Sequence, residues 1–433
     1  MTYNFPVLKD HTRRATSGSV HRSLSLLPFV LLACMHAAGQ SVVTDWNAIG
    51  ITQARASTAP GASSAGGGNV YIAYEALAVY NAVVAIEGKY QPYKYTVTAP
   101  AGASSEAAAV EAAYRVLAYL LPDRAVQLAT SYTASMAAIP DGQPKLNGQA
   151  VGLASAENLI ALRSGDGRGV PWPYSYPSSP VPGVWMLTPG AAAAATPWIG
   201  QMTPFTFDDP AQYRPDEPPP ALNSQTWTDD YNLTKRLGAK DGSARTPAQT
   251  EIGLFWTDNT TAQFGSMLRL LAVQENLSLL ETSRLMAMAY ASMADSFIGC
   301  FNAKYYYSFW RPVTAIRNGD IDGNPDTVPD PGWTPLAVTP AHPEYPAAHG
   351  CVTGGLSDAL KAYFGTPNIP PIAVSSAVTG TTHHFTSIND LQKEVEYARI
   401  YVGFHYHHSL VQGFVLGHKV AHNLAANYFA PTN

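Results

Sequence analysis

The chain has 433 residues, 46% of them hydrophobic and 13% charged, enough to bury a large core in one domain or in two that share it. A net charge of -5 with no basic block excludes nucleic acid as the main partner. The 34 glycines and 34 prolines are dispersed, which excludes a fibre and marks loops instead.

Arg13, Arg14 and Arg22 precede an apolar stretch from Leu24 to Cys34, and small residues follow at Ala37, Ala38 and Gly39. That order predicts a signal peptide over residues 1–39 and an exported protein, periplasmic or secreted. The apolar run is too short for a membrane span, and no later stretch reads as long and apolar enough for one. The long basic region leaves the true start open. Leu31-Leu32-Ala33-Cys34 is weakly similar to a lipoprotein cleavage site, but a lipid anchor at Cys34 is not the expectation. After cleavage Cys300 and Cys351 would remain, either as a disulfide or as two small buried hydrophobes. Sequence gives no distance between them, so both readings stay open.

Residues 40–245 should hold the N-terminal helices and a long wrapping segment. Residues 54–68 read as a loop. Residues 69–90 are apolar nearly all round and predict a buried helix. A strong helix former follows and stops at Pro122, and residues 123–138 and 145–163 continue the helical pattern. From Ser164 to about Ala244, prolines, tryptophans and glycines crowd in without periodicity, which predicts a lid or wrapping segment. Residues 246–433 should form the catalytic bundle. Thr246-Pro247 caps a helix start, and Ser278 with Glu281 is a capping-box pattern opening a helix to about Gly299. Further helices fit 350–364, 388–403 and 409–429. Alternating strand patterns are scarce, so the expected class is all-α.

Three clusters in the last third share one chemistry. In "KYYYSFWRP", Lys304 and Arg311 are seven apart, two helical turns, which places both cations on one helix face before Pro312 breaks it. Set among aromatics, they should be partly buried and need an anion. Pro346-Ala347-Ala348-His349-Gly350 then precedes a helix, and would aim backbone N–H groups and an imidazole at a negative charge. In "ARIYVGFHYHHS", Arg399 and His405 are spaced to face one pocket, whereas His407 and His408 read as surface or packing residues.

In order, these clusters resemble the signature of the superfamily that joins vanadium-dependent haloperoxidases with type 2 phosphatidic acid phosphatases and bacterial acid phosphatases. Lys304, Arg311 and Pro312 match the first element in full; Arg399 and His405 keep the third. The resemblance implies a multi-helix bundle of that type, with a haloperoxidase-like upstream region. It assigns Lys304, Arg311, Arg399 and the Ala348 backbone to the oxygens of vanadate, with phosphate able to occupy the same site. His405 would be the apical vanadium ligand or a phosphoryl-accepting nucleophile, and His349 the acid–base on the opposite face. His342, seven before His349, stands where chloroperoxidase-type members carry phenylalanine and bromoperoxidase-type members histidine, so it is expected near peroxide and halide. Four departures stand out. Ala347 replaces the oxyanion-binding serine, Ala348 replaces the glycine while keeping its backbone N–H, Ala398 replaces the serine before Arg399, and Ser409 replaces the closing aspartate that would orient His405. Asp295 is a candidate replacement partner for Arg399 or His405.

Other patterns carry less. "GDIDGNPD", with Asp320, Asp322, Asn324 and Asp326, reads as a polar turn ahead of a calcium loop, because the glycine is displaced and no bidentate glutamate follows. His418 and His422 have helical zinc-pair spacing without an evident third ligand. His383-His384 sits in a threonine-rich loop, at the surface or along a pocket. The leading expectation is an exported haloperoxidase that uses vanadate and hydrogen peroxide to oxidise a halide, bromide first, for transfer to a small organic acceptor. An exported acid phosphatase with His405 as nucleophile and an inactive oxyanion-binding homologue are the alternatives.

Overall fold

The computed structural model describes residues 41–432. The expected signal peptide and Cys34 lie outside those residues.

α1 (Val42–Ala56) opens on a capping box between Ser41 and Thr44. α2 (Ala65–Glu87) is capped by Ser64 and is buried along nearly its whole length. By length and composition α2 could cross a bilayer, contrary to the sequence expectation, but 89% of its apolar window is buried inside the protein. It is the central core helix. α3 (Ser105–Leu120) and α5 (Gln143–Leu162) pack against it, and α4 (Ala125–Ala137) packs on α3 and α1. The Pro-rich stretch that follows is irregular up to α6 (Gln225–Gly238). α7 (Pro247–Phe255), α8 (Thr260–Gln274), α9 (Leu279–Tyr307), α10 (Pro312–Arg317), α11 (Ala348–Phe364), α12 (Ile388–Tyr401) and α13 (His407–Asn427) complete the bundle. The all-α expectation is met, with one addition: β1 (Ile372–Ser375) and β2 (Thr382–Phe385) form a small antiparallel hairpin.

Three sequence expectations change. α1 runs three residues into the stretch expected as loop from 54, and α6 lies within the segment expected to be aperiodic. α6 is mostly polar, and its few buried side chains, Trp227, Asp230, Tyr231 and Thr234, recur at helical spacing among flanking prolines. α9 runs past Gly299 to Tyr307, where Ser308 turns left-handed and ends it. Arg311 is therefore not on that helix but caps α10, and Pro312 opens α10 where the sequence predicted a break.

Two packing features place the site. α11 lies directly on α13 through glycines: a Cβ at Gly417 would stand 2.1 Å from the Cys351 carbonyl oxygen, and one at Gly413 2.6 Å from that of Ala347. This close approach brings the start of α11 next to the start of α13. A second aromatic cluster, with Trp227, Phe309, Trp310, Tyr345 and Tyr406, backs the loops on the other side. Asp295, buried in the middle of α9, accepts from the backbone N–H groups of Phe205 (2.6 Å) and Thr206 (2.8 Å) and from the Thr206 hydroxyl (2.6 Å). It ties the Pro-rich segment to the core and does not partner Arg399 or His405, so the sequence expectation for it is overturned. Cys300 and Cys351 are free buried thiols, not a disulfide.

Candidate active site

The last turn of α9, the cap of α10, the start of α11 and the loop between α12 and α13 converge on one pocket. Lys304 is fully buried and donates from Nζ to the carbonyls of Pro343 (3.0 Å) and Glu344 (2.8 Å). Arg311, also fully buried, donates from Nε to the His342 carbonyl (2.8 Å) and from Nη1 to the Phe404 carbonyl (2.9 Å). Lys304 and Arg311 thus meet by clamping one loop, residues 342–344, and not by sharing a helix face. Arg399, on the last turn of α12, donates from Nη1 to the Trp256 carbonyl at 2.5 Å, and its Nε is buried without a partner.

The turn after α12 aims His405 inward. Gly403 has φ 78°, and a side chain there would meet the Gly238 carbonyl oxygen at 2.6 Å, so only glycine fits. The Phe404 and His405 N–H groups then both bond back to the Arg399 carbonyl. His405 is buried, with Nδ1 2.7 Å from Glu344 Oε1 and Nε2 3.1 Å from Arg311 Nη1.

α11 begins at Ala348 with Ala347 as its cap, and no side chain caps it. Its first-turn N–H groups therefore have no helical acceptor, and the positive end of its dipole faces the pocket wall formed by Ala348 and His349. His349 lies near the Trp256 carbonyl, which favours its protonated form, and its Nε2 is buried and unpartnered. His342 Nδ1 lies 2.9 Å from Arg311 Nη2, and its ring packs 5.1 Å from Phe301.

The electrostatics follow from burial. Desolvation, aided by Arg311, brings Arg399 down to about 9. Desolvation lowers Lys304 to about 8 and Arg311 to about 10, although nearby anionic groups oppose both shifts. His342, His349 and His405 are held well below the ordinary imidazole value, first by burial and then by the surrounding cations. Burial raises Glu344 to about 7 against the pull of Lys304 and Arg311. Three buried cations meet here, with Glu344 against His405 and Asp258 on the cavity wall. Such a site attracts a compact anion and gives it charge-assisted donors with little reorganisation.

Above this floor opens a cavity of about 500 Å³, lined by His342, Ala348, His349, Arg399 and His405 below and by Phe297, Phe301, Phe404 and Val338 on its walls. All seven site residues expected from the sequence come together. The remaining expectations sort out differently. His407 bonds Glu396, and His408 stacks on Tyr345, so both are packing residues. His383 lies on β2 between Glu251 and Glu394 and stacks on Phe255; neither it nor His384 lines the cavity. His418 and His422 both contact Asp358, whose other oxygen takes Lys361. In the 319–326 turn, Asp322 accepts from Trp227 and Thr327. Sequence reasoning missed Glu344 and Trp256. Glu344 carried a signal, being the one acid within "HPEYPAAHGC". Trp256 acts through its carbonyl, which no side-chain motif records.

A family model described as the VCPO second helical-bundle domain matches residues 284–431. A vanadium chloroperoxidase from Curvularia inaequalis is 27% identical over 34% of this chain, a match spanning 29% of that protein's length. Among solved structures, a bacterial vanadium-dependent iodoperoxidase superposes with a TM-score of 0.75 at 22% identity, covering 90% of this chain and 97% of that one. A holo-type bacterial vanadium-dependent chloroperoxidase gives 0.67 at 16% identity, covering 90% and 94%. The family model spans the site-bearing third of the chain, and the fold of the vanadium haloperoxidase structures extends over nine-tenths of its length, so the chain is similar to that family in its second helical bundle and in its fold.

Proposed function

We propose that the chain is a vanadate-dependent haloperoxidase that oxidises a halide, bromide first, with hydrogen peroxide to hypohalous acid. The observation that carries this reading is the cation-rich pocket: Lys304, Arg311 and Arg399 are buried together, with Arg399 Nε and His349 Nε2 left without partners. Those orphaned groups fit a tetrahedral oxyanion. Bound vanadate would supply a Lewis-acid centre that activates peroxide without changing its own redox state.

The residues divide the remaining work. Lys304, Arg311, Arg399 and the first N–H groups of α11 hold the anion's charge. His405 presents Nε2 to it. His349, whose Nε2 has no partner in the protein, accepts and returns a proton there. His342 is held at the edge of the pocket by Arg311 Nη2, 2.9 Å from its Nδ1, and by the Pro343 carbonyl, 3.2 Å from the same nitrogen, which places its ring where peroxide and halide would meet the anion. Phe297, Phe301 and Phe404 keep bulk water away, and the cavity leaves room for a small organic acceptor.

Purified protein given vanadate, bromide and peroxide should brominate a phenolic dye. Absence of vanadate-dependent turnover would remove the proposal. A second reading, an acid phosphatase, gains from the Glu344 contact, because an oriented imidazole is also a competent nucleophile. It predicts phosphate release from a phosphomonoester, inhibited by vanadate.

A further inference from the structure

The superfamily pattern closes on an aspartate that this chain replaces with Ser409. That serine is occupied elsewhere: its hydroxyl donates to the Glu344 carbonyl (3.5 Å), and its own carbonyl accepts from the Ala347 N–H (3.0 Å). Position 409 therefore fixes the loop before α11 and makes no bond to the His405 ring. A carboxylate reaches that ring from the other direction. Glu344, fully buried, brings Oε1 to 2.7 Å from His405 Nδ1 and to 3.2 Å from the Tyr406 N–H, so the backbone holds the carboxylate while the carboxylate holds the imidazole.

The opposite edge of the ring gives independent evidence. Arg311 Nη1 lies 3.1 Å from His405 Nε2, and a guanidinium has no lone pair to offer. Nε2 must then be the acceptor, and the ring proton sits on Nδ1, where Glu344 takes it. We propose that Glu344 is the positioning residue for His405, fixing the tautomer that keeps Nε2 unprotonated on the cationic side of the pocket and replacing the aspartate missing at position 409. The assignment rests on His405 being the imidazole that faces the anion, and it holds for either chemistry considered above. Partners of this kind orient a ligating histidine and keep its free nitrogen basic.

The test reads the ring directly. In ¹⁵N-histidine-labelled protein without oxyanion, the His405 resonances, assigned by their loss in His405→Gln, should show a protonated Nδ1 and a bare Nε2. Glu344→Leu, which can accept nothing from Nδ1–H, should let the Nε2-protonated form appear and lower turnover by about 10–100-fold, whereas Glu344→Gln, which keeps an acceptor oxygen, should hold the wild-type tautomer. Affinity for inorganic phosphate, measured by calorimetry, should not weaken, because either variant removes a negative charge from an anion site. A wild-type His405 protonated at Nε2 would overturn the proposal, and that measurement needs no variant to fold. So would a tautomer unchanged in Glu344→Leu. Because the tautomer is read without turnover, it is decided even if neither bromide oxidation nor phosphate release is found.

Discussion

Arg399 has a single hydrogen bond, to the Trp256 carbonyl, and is destabilised by Arg311 nearby, so its charge serves a ligand more than the fold. Arg399→Met should weaken phosphate binding about 10–100-fold, the size of one charged hydrogen bond of about 1.5–3 kcal/mol, without lowering the melting temperature of the ligand-free protein. Calorimetry and thermal unfolding check the two halves separately. Ala347 stands at the cap of α11, where the superfamily pattern places a serine. Ala347→Ser should tighten phosphate binding by up to about tenfold, because a neutral hydroxyl adds one modest bond of about 1 kcal/mol. At this scale the sequence was readable wherever function follows local spacing. Lys304, Arg311, His349, Arg399 and His405 stand out because their motifs are short. Glu344 did not, because its partner lies in another motif and only the fold pairs them.

α2 shows what periodicity can and cannot say. Its all-round apolar character announced a buried helix, and the structure places it at the centre. The same pattern gave no warning that Glu75, within α2, is buried beside Arg269 with one carboxylate oxygen unpartnered. Burial raises Glu75 to about 8 against Arg269, from an ordinary value of 4.5. The folded chain therefore holds a proton that the unfolded chain has released. Stability is greatest below the unfolded value and falls as pH rises through about 8. Glu75→Gln should flatten that decline, measured as the melting temperature between pH 5 and pH 9, roughly the window this shift opens. α6 escaped the sequence reading because its buried face is narrow and prolines surround it. The end of α9 was misjudged because Gly299 looked like a stop, whereas its neighbours leave it in ordinary packing contact and the helix runs on.

For the molecule as a whole, an anion that binds only the folded pocket must shift unfolding by mass action. Phosphate or vanadate at about 100 Kd should add about 2.7 kcal/mol, seen as a rise in melting temperature that disappears in Arg399→Met. Chloride at equal ionic strength should not reproduce the rise, because it cannot accept from three converging side chains at once. Asp295 has a different consequence for the way in. By gripping the amides of Phe205 and Thr206 from inside the bundle, it makes the proline-rich stretch a strap riveted to the core, not a door. Those two amides should exchange with deuterium as slowly as the centre of α9. Small reactants should then enter and leave through a standing opening, with no slow opening step ahead of turnover.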